Sequence, residues 1–181
     1  MKYMFASDIH GSAYYCRKML DAYKEEKAER LVLLGDLLYH GPRNDLPKEY
    51  APKEVIPMLN AMKNEIYAVR GNCEAEVDQM VLQFPVMADY CILNLEGRTF
   101  YATHGHVYNE NNLPPLQEGD ILIHGHTHVL RAELRKGYTL LNPGSVSIPK
   151  EGNPPTYAVL EDKVFTIKDF DGNIIKEMRL A

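Results

Sequence analysis

What most limits the folding of this chain is an alternation in its first half, in which apolar runs and amphipathic stretches take turns. Lys2 to Ser7 reads as a buried strand ending at Asp8. Ser12 is placed to cap a helix in which Cys16, Met19, Leu20 and Tyr23 recur at helical spacing. Leu31 to Leu34 is a second buried strand, closed by Gly35-Asp36. Val55, Ile56, Leu59 and Met62 mark a second helix entered near Pro52. Pro57 should kink or shorten it, because proline has no N–H for the helical ladder. Ile66 to Val69 is a third strand, closed by Gly71-Asn72. Strand, helix, strand, helix, strand is the signature of a parallel α/β sheet.

The second half changes character. Tyr90 to Leu95 and Thr99 to Thr103 flank Glu96-Gly97-Arg98, a hairpin signal. Further short strands are expected at Asp120 to His124, Leu130 to Arg135, Tyr138 to Leu141, Thr156 to Leu160, Val164 to Lys168 and Ile174 to Met178. The last two read as a closing hairpin rather than a separate domain, so residues 1–181 are expected to form one domain. The His40 to Pro52 stretch holds Pro42, Pro47 and Pro52 with Arg43, Asn44 and Asp45. It is either a plain surface loop or, because it follows Asp36, the border of a site.

Polar side chains with ligating atoms fall just past the ends of these strands. Asp8 and His10 follow the first, Asp36 the second and Asn72 the third; His104 follows the Phe100 to Thr103 run, and His126 and His128 follow Ile121 to Ile123. Ligands of α/β sheets gather beyond the carboxyl ends of strands, so one fold can bring all of these together. Taken singly each signal is poor: Asp-x-His is mostly coincidence and Gly-Asp is usually only a turn. Jointly they carry weight, because five of the 7 histidines lie between His104 and His128. Carboxylate, amide oxygen and imidazole together suit Mn²⁺, Fe²⁺, Zn²⁺ or Mg²⁺ and exclude a thiolate-rich structural zinc. So many donors exceed one tetrahedral ion but suit two ions roughly 3.5–4 Å apart that share a carboxylate. Two such ions against Asp8 and Asp36 leave a positive pocket that attracts anions, even on a chain of net charge −5.

The ordered set Asp8-x-His10, Gly35-Asp36, Gly71-Asn72-Cys73-Glu74, Thr103-His104-Gly105-His106 and Gly125-His126-Thr127-His128 resembles the calcineurin-like metallophosphoesterases over about residues 1 to 150. His40-Gly41-Pro42-Arg43-Asn44 and the Asn142 to Pro149 fragment resemble, more narrowly, the bacterial YfcE-type phosphodiesterases. The resemblance implies an α/β fold in which two mixed β-sheets form a sandwich flanked by helices. It implies that Asp8, His10, Asp36 and His128 hold one metal ion, and that Asp36, Asn72, His104 and His126 hold the other. It also implies a phosphodiesterase whose nucleophile is a hydroxide bridging the two ions. Manganese is the first expectation, with Zn²⁺, Fe²⁺, Mg²⁺ or Ni²⁺ as alternatives.

One position departs from the family. Many relatives carry His directly after the metal-binding Asn, where it can protonate the leaving alkoxide; here Cys73 stands there. A thiol of pKa near ~8.5 is a poor substitute for imidazole as an acid at neutral pH. Either His106, His40 or His124 supplies the proton, or the leaving group needs none. For His106 and His124, orienting a metal ligand is the plainer role. Arg43 is a candidate contact for a non-bridging oxygen or for a carboxylate or phosphate on the substrate. Arg70 is a weaker one that can simply pair with a surface acid.

A phosphomonoesterase of the same fold, a cyclic-nucleotide phosphodiesterase and a non-catalytic scaffold that keeps the metal pocket are the competing readings. A nuclease is least favoured, because 20 Lys+Arg against 25 Asp+Glu leave no basic stripe. No apolar run is long enough to cross a bilayer. The early polar residues leave no room for a secretory segment, and three scattered cysteines fit a reducing cytoplasm. The expected partners are a small phosphoester and, through exposed apolar strands, further copies of the chain, with no nucleic-acid polymer and no membrane.

Overall fold

In the computed structural model, which describes residues 1 to 180, the apolar runs of the first half become β1 (Tyr3–Ala6), β2 (Arg30–Leu33) and β3 (Ile66–Ala68). They pair in parallel, with Met4 opposite Leu31 and Val32 opposite Tyr67. Helices α1 (Ala13–Glu26) and α2 (Pro52–Asn60) make the crossovers. Ser12 caps α1, its Oγ accepting the Tyr15 N–H at 3.2 Å. With Pro57 inside it, α2 ends at Asn60, and Met62 falls in the turns that follow. A short helix that the sequence did not announce, α3 (Glu76–Val81), starts where the Asp78 carboxylate accepts the Ala75 N–H at 2.7 Å. Only Asp78 is buried along it, so it has no apolar stripe to read.

The second half supplies β4 (Tyr90–Leu95), β5 (Arg98–Thr103), β6 (Asp120–Ile123), β7 (Arg131–Arg135), β8 (Tyr138–Asn142), β9 (Thr156–Glu161), β10 (Val164–Asp169) and β11 (Ile174–Arg179). Two mixed sheets result, ordered β11-β10-β9-β1-β2-β3 and β4-β5-β6-β8-β7. The closing β10–β11 hairpin forms as expected. Its location is a long-range matter, since β9 lies antiparallel to β1 and returns the end of the chain to its beginning.

Alternation along β1 builds both layers of core. Met4 and Ala6 face the helices, packing with Cys16, Met19, Val55 and Leu59. Phe5 faces the other sheet, its ring 6.2 Å from Phe100 there and 5.9 Å from Phe165 of its own sheet. Truncating a buried phenylalanine of this kind costs roughly 3–5 kcal/mol, so this contact helps hold the two sheets in register. Helices are few. The outer face of the second sheet is met instead by the loop after β5, where the Tyr101 hydroxyl donates to the Pro115 carbonyl at 3.2 Å. Among the described residues, no helix is long and apolar enough to cross a membrane.

Candidate metal centre

Five strands, β1, β2, β3, β5 and β6, end on one rim of the sandwich, and the chain turns sharply as it leaves each. Asp8, His10, Asp36, His126 and His128 all take up left-handed backbone, with φ of 60°, 50°, 57°, 64° and 61°. Residues other than glycine pay for that conformation, and such strain gathers where surrounding structure forces a side chain into a functional position. The approach at Gly125 is equally tight. A Cβ there would lie 1.9 Å from Ser7 Oγ and 2.7 Å from Asp8 Oδ2, so only glycine lets β6 run this close to β1.

All seven donors expected from the sequence converge. Asp8 Oδ1 lies 3.6 Å from His10 Nε2 and 3.3 Å from His128 Nε2, and the two imidazole nitrogens are 3.4 Å apart. Asp36 Oδ2 lies 3.7 Å from His10 Nε2 and 3.3 Å from His104 Nε2. His104 Nε2 is 3.1 Å from Asn72 Oδ1 and 3.2 Å from His126 Nδ1. Asp36 therefore belongs to one group of donors, Asp36–His104–His126, and also faces His10 of the other, Asp8–His10–His128.

Hydrogen bonds behind the rings decide which nitrogen faces inward. His10, His104 and His128 each donate Nδ1–H to a backbone carbonyl, of Tyr39 at 2.8 Å, Leu34 at 2.6 Å and Ile148 at 2.6 Å. In the neutral ring that leaves an Nε2 lone pair aimed into the cage, the arrangement usual for metal-bound histidine. Lone pairs facing one another at 3.4 Å beside a buried, unpartnered Asp8 Oδ1 call for a cation between them. The donor set and its second layer of hydrogen bonds thus fit divalent ions.

Without an ion, protons take part of that role. Burial opposes ionisation of Asp8, but the adjoining His10 and His128 imidazoles outweigh it and hold the carboxyl well below its ordinary range. Burial likewise disfavours charge on His104, yet the adjoining Asp36 carboxylate pushes its pKa up to about 9. His126 moves the other way, to about 4, through burial and the neighbouring His104 charge.

Several residues that the sequence did not single out hold this cage in place. The buried Glu74 carboxylate accepts the backbone N–H groups of Asp36 at 2.8 Å, Leu37 at 2.7 Å and Gly71 at 2.5 Å, tying the loop after β2 to the loop after β3. Ser145 Oγ donates to the Asp8 carbonyl at 3.0 Å, and Ser147 Oγ contacts the Asp8 and Ile9 carbonyls at 3.0 and 2.8 Å. Asn142 Nδ2 donates to the Gly125 carbonyl at 3.0 Å. Their one sequence signal was a place inside motifs whose other members bear the ligating atoms.

The remaining candidates separate. Cys73 is half-buried at the cage; its backbone N–H donates to Asp36 Oδ1 at 2.9 Å, and burial pushes its thiol pKa up. His106 lies against His104 and His126, with ring centroids 5.4 and 6.2 Å away. His124 is buried, with Nε2 facing Glu110 at 3.3 Å. His40 sits edge-on between Tyr39 and Tyr50. Arg70 pairs with Asp89 at 3.8 Å. Arg43 is exposed and lines the cavity over the cage, so the His40 to Pro52 stretch does border the site.

A family model described as the calcineurin-like phosphoesterase superfamily domain matches residues 1–163. The chain belongs to that family. Calcineurin-like phosphoesterases similar to it include phosphodiesterase YfcE of Escherichia coli strain K12, 48% identical over 167 residues, which are 92% of this chain and 91% of the relative. A probable metallophosphoesterase of Bacillus subtilis, YsnB, is 27% identical over 191 residues, covering 99% and 97%. The solved structure of the Escherichia coli YfcE phosphoesterase superposes with a TM-score of 0.98 at 46% identity, over 100% of both chains. A Vps29 from Entamoeba histolytica superposes with a TM-score of 0.66 at 24% identity over 98% of both chains, a likeness of fold alone.

Proposed function

We propose that this phosphoesterase hydrolyses a small phosphodiester by attack of hydroxide held between two divalent ions. Manganese is the first expected ion, and Zn²⁺, Fe²⁺, Mg²⁺ and Ni²⁺ fit the same donors. The observation that carries the reading is the double cage of converging donors, with Asp36 common to both halves and the buried Asp8 Oδ1 left without a hydrogen-bond partner. In it, Asp8, His10, Asp36 and His128 hold one ion, while Asp36, Asn72, His104 and His126 hold the other. Bound there, the pair supplies Lewis-acid polarisation of the phosphoryl oxygens and a water acidic enough to ionise near neutral pH. The similarity to named phosphodiesterases supports the diester as substrate class.

The side chains around the cage divide the remaining work. Nδ1–H bonds to backbone carbonyls keep three imidazoles aimed inward, and Glu74 holds Asp36 between the two groups. Arg43, at the cavity wall, meets a non-bridging or peripheral substrate oxygen. His106 steadies the His104 and His126 rings rather than transferring a proton. Cys73, with its thiol pKa raised, is a poor acid for the departing oxygen, so preferred substrates carry leaving groups stable as anions. Cys73→His is therefore expected to raise kcat on alkyl diesters by about 100-fold, the low end of general acid catalysis. Its effect on 4-nitrophenyl leaving groups should be small. Equal effects on both would show that Cys73 does not limit leaving-group protonation.

The function is tested by stripping the protein with a chelator and restoring Mn²⁺, Mg²⁺, Zn²⁺ or Ni²⁺ against a panel of mono- and diesters. Stripped protein should be inactive, and restored protein should favour diesters. Turnover that survives stripping overturns the reading; a monoester preference makes the chain a phosphomonoesterase, and metal binding without any hydrolysis makes it a scaffold. We further propose that the chain works in the cytoplasm, where free thiols such as its three cysteines persist. Its proposed partners are the small phosphoester and further copies of the chain, neither a nucleic-acid polymer nor a membrane.

A further inference from the structure

The cage is the floor of a cavity of about 390 Å³, and the cavity walls say what else the substrate carries. Two cations stand in those walls on separate loops: Arg43, after β2, and Lys150, after β8. Neither loop is slack. Asn44 Nδ2 donates to the His40 carbonyl at 2.9 Å, bracing the turn that presents Arg43. The Lys150 backbone N–H donates to the carbonyl of His128 at 3.1 Å, which anchors Lys150 directly on a cage residue.

Among the described residues, Arg43 and Lys150 engage no carboxylate, whereas Arg17, Arg70, Arg131 and Arg135 all do. Among the described residues, the only acidic side chain lining the cavity is Asp36, which belongs to the cage. Among the described residues, no phenylalanine or tyrosine lines it, and its rings are the imidazoles of the cage. Two unpaired cations in a polar wall are complementary to a compact anion. The net charge of −5 on the chain as a whole opposes long polyanions, which makes the attraction local.

We propose that one alcohol of the scissile phosphodiester carries a second anionic group, a carboxylate or a phosphate, held between Arg43 and Lys150. This rests on the phosphodiesterase reading and specifies its substrate: a small diester with a charged arm. Lys150 becomes a specificity-determining residue that nothing in the sequence motifs marked, and the charge of Arg43 acts on the arm rather than on the reacting phosphorus.

The test uses metal-restored enzyme and three diesters that share the 4-nitrophenyl leaving group, with methyl, 2-carboxyethyl or 2-phosphoethyl as the other ester group. KM for the two charged diesters should be lower than for the methyl diester by about tenfold, the worth of one charge-assisted contact. Whichever charged arm gains more names the anion. The advantage should shrink toward unity in Lys150→Gln and in Arg43→Gln, and should fade as salt rises. Calorimetry supplies a reading independent of turnover: 2-carboxyethylphosphonate should bind tighter than propylphosphonate, and the difference should vanish in the two variants. Equal KM for all three diesters, or a preference that survives both substitutions, overturns the proposal. If no diester is turned over, the phosphodiesterase reading has failed, and the calorimetric comparison still decides whether Arg43 and Lys150 select an anionic arm.

Discussion

Replacing Asp36 with alanine is expected to lower hydrolysis of a 4-nitrophenyl diester by on the order of a thousandfold. The reasoning is that metal-ion catalysis supplies several kcal/mol of transition-state stabilisation and each ~1.4 kcal/mol is a factor of ten. Asp36 Oδ2 faces donors of both groups, 3.7 Å from His10 Nε2 and 3.3 Å from His104 Nε2, so its loss weakens both proposed ion sites at once. Metal analysis should show bound metal falling well below that of the parent protein. Asp36→Asn separates charge from shape. It preserves an acceptor for the Cys73 N–H, which now donates to Asp36 Oδ1 at 2.9 Å, but removes the negative charge that holds cations. An asparagine variant as active and as metal-rich as the parent would show that Asp36 is not a shared ligand.

Loss of Glu74 should do comparable damage from outside the ligand set. Its carboxylate is the acceptor for three backbone N–H groups in a buried setting, those of Asp36, Leu37 and Gly71. Each buried donor left without an acceptor costs roughly 1–3 kcal/mol, and a whole domain is stable by only about 5–15 kcal/mol. Glu74→Ala should therefore lower the melting temperature sharply. Metal affinity should fall by about 10–100-fold, as when outer hydrogen-bond partners of metal ligands are removed. Glu74→Gln keeps one oxygen but turns an NH₂ toward a backbone donor, so its effect should be intermediate. Gly71 restricts any relief. A Cβ there would fall 2.1 Å from Asp36 Oδ1 and 2.7 Å from Glu74 Oε2, so the packing around the carboxylate has no slack to absorb a displaced loop. A Glu74→Ala protein that melts and binds Mn²⁺ like the parent would refute the positioning role. If the alanine variant does not fold, the glutamine variant still reads metal affinity.

Most of the α/β half was legible because its signals are local. A strand buried on both faces reads as an apolar run, a capped helix as Ser12 followed by a stripe, and the ligating residues stand immediately after strands. The departures follow the same logic. Helix α3 has one buried residue and hence no stripe, and α2, with Pro57 inside it, stops at Asn60, short of Met62. Glu74 stands within Gly71-Asn72-Cys73-Glu74, yet its role depends on two loops meeting, which no spacing encodes. Lys150 sits 22 residues beyond His128, the last expected ligand, and only the fold brings it to the same cavity.

Sequence alone determined the chemical kinds of donor, their order along the chain and their placement at strand ends, because these depend on residue identity and short periodicities. Tertiary structure decided the rest. The return of β9 onto β1, the left-handed turns at five of the donors, the choice of Nε2 over Nδ1 in three histidines and the gathering of Arg43 and Lys150 at one cavity all arise from contacts between segments far apart in the chain. The physical reason is that a residue's type sets which bonds it can form, whereas its backbone strain and its partners are imposed by whatever the closed sandwich packs against it.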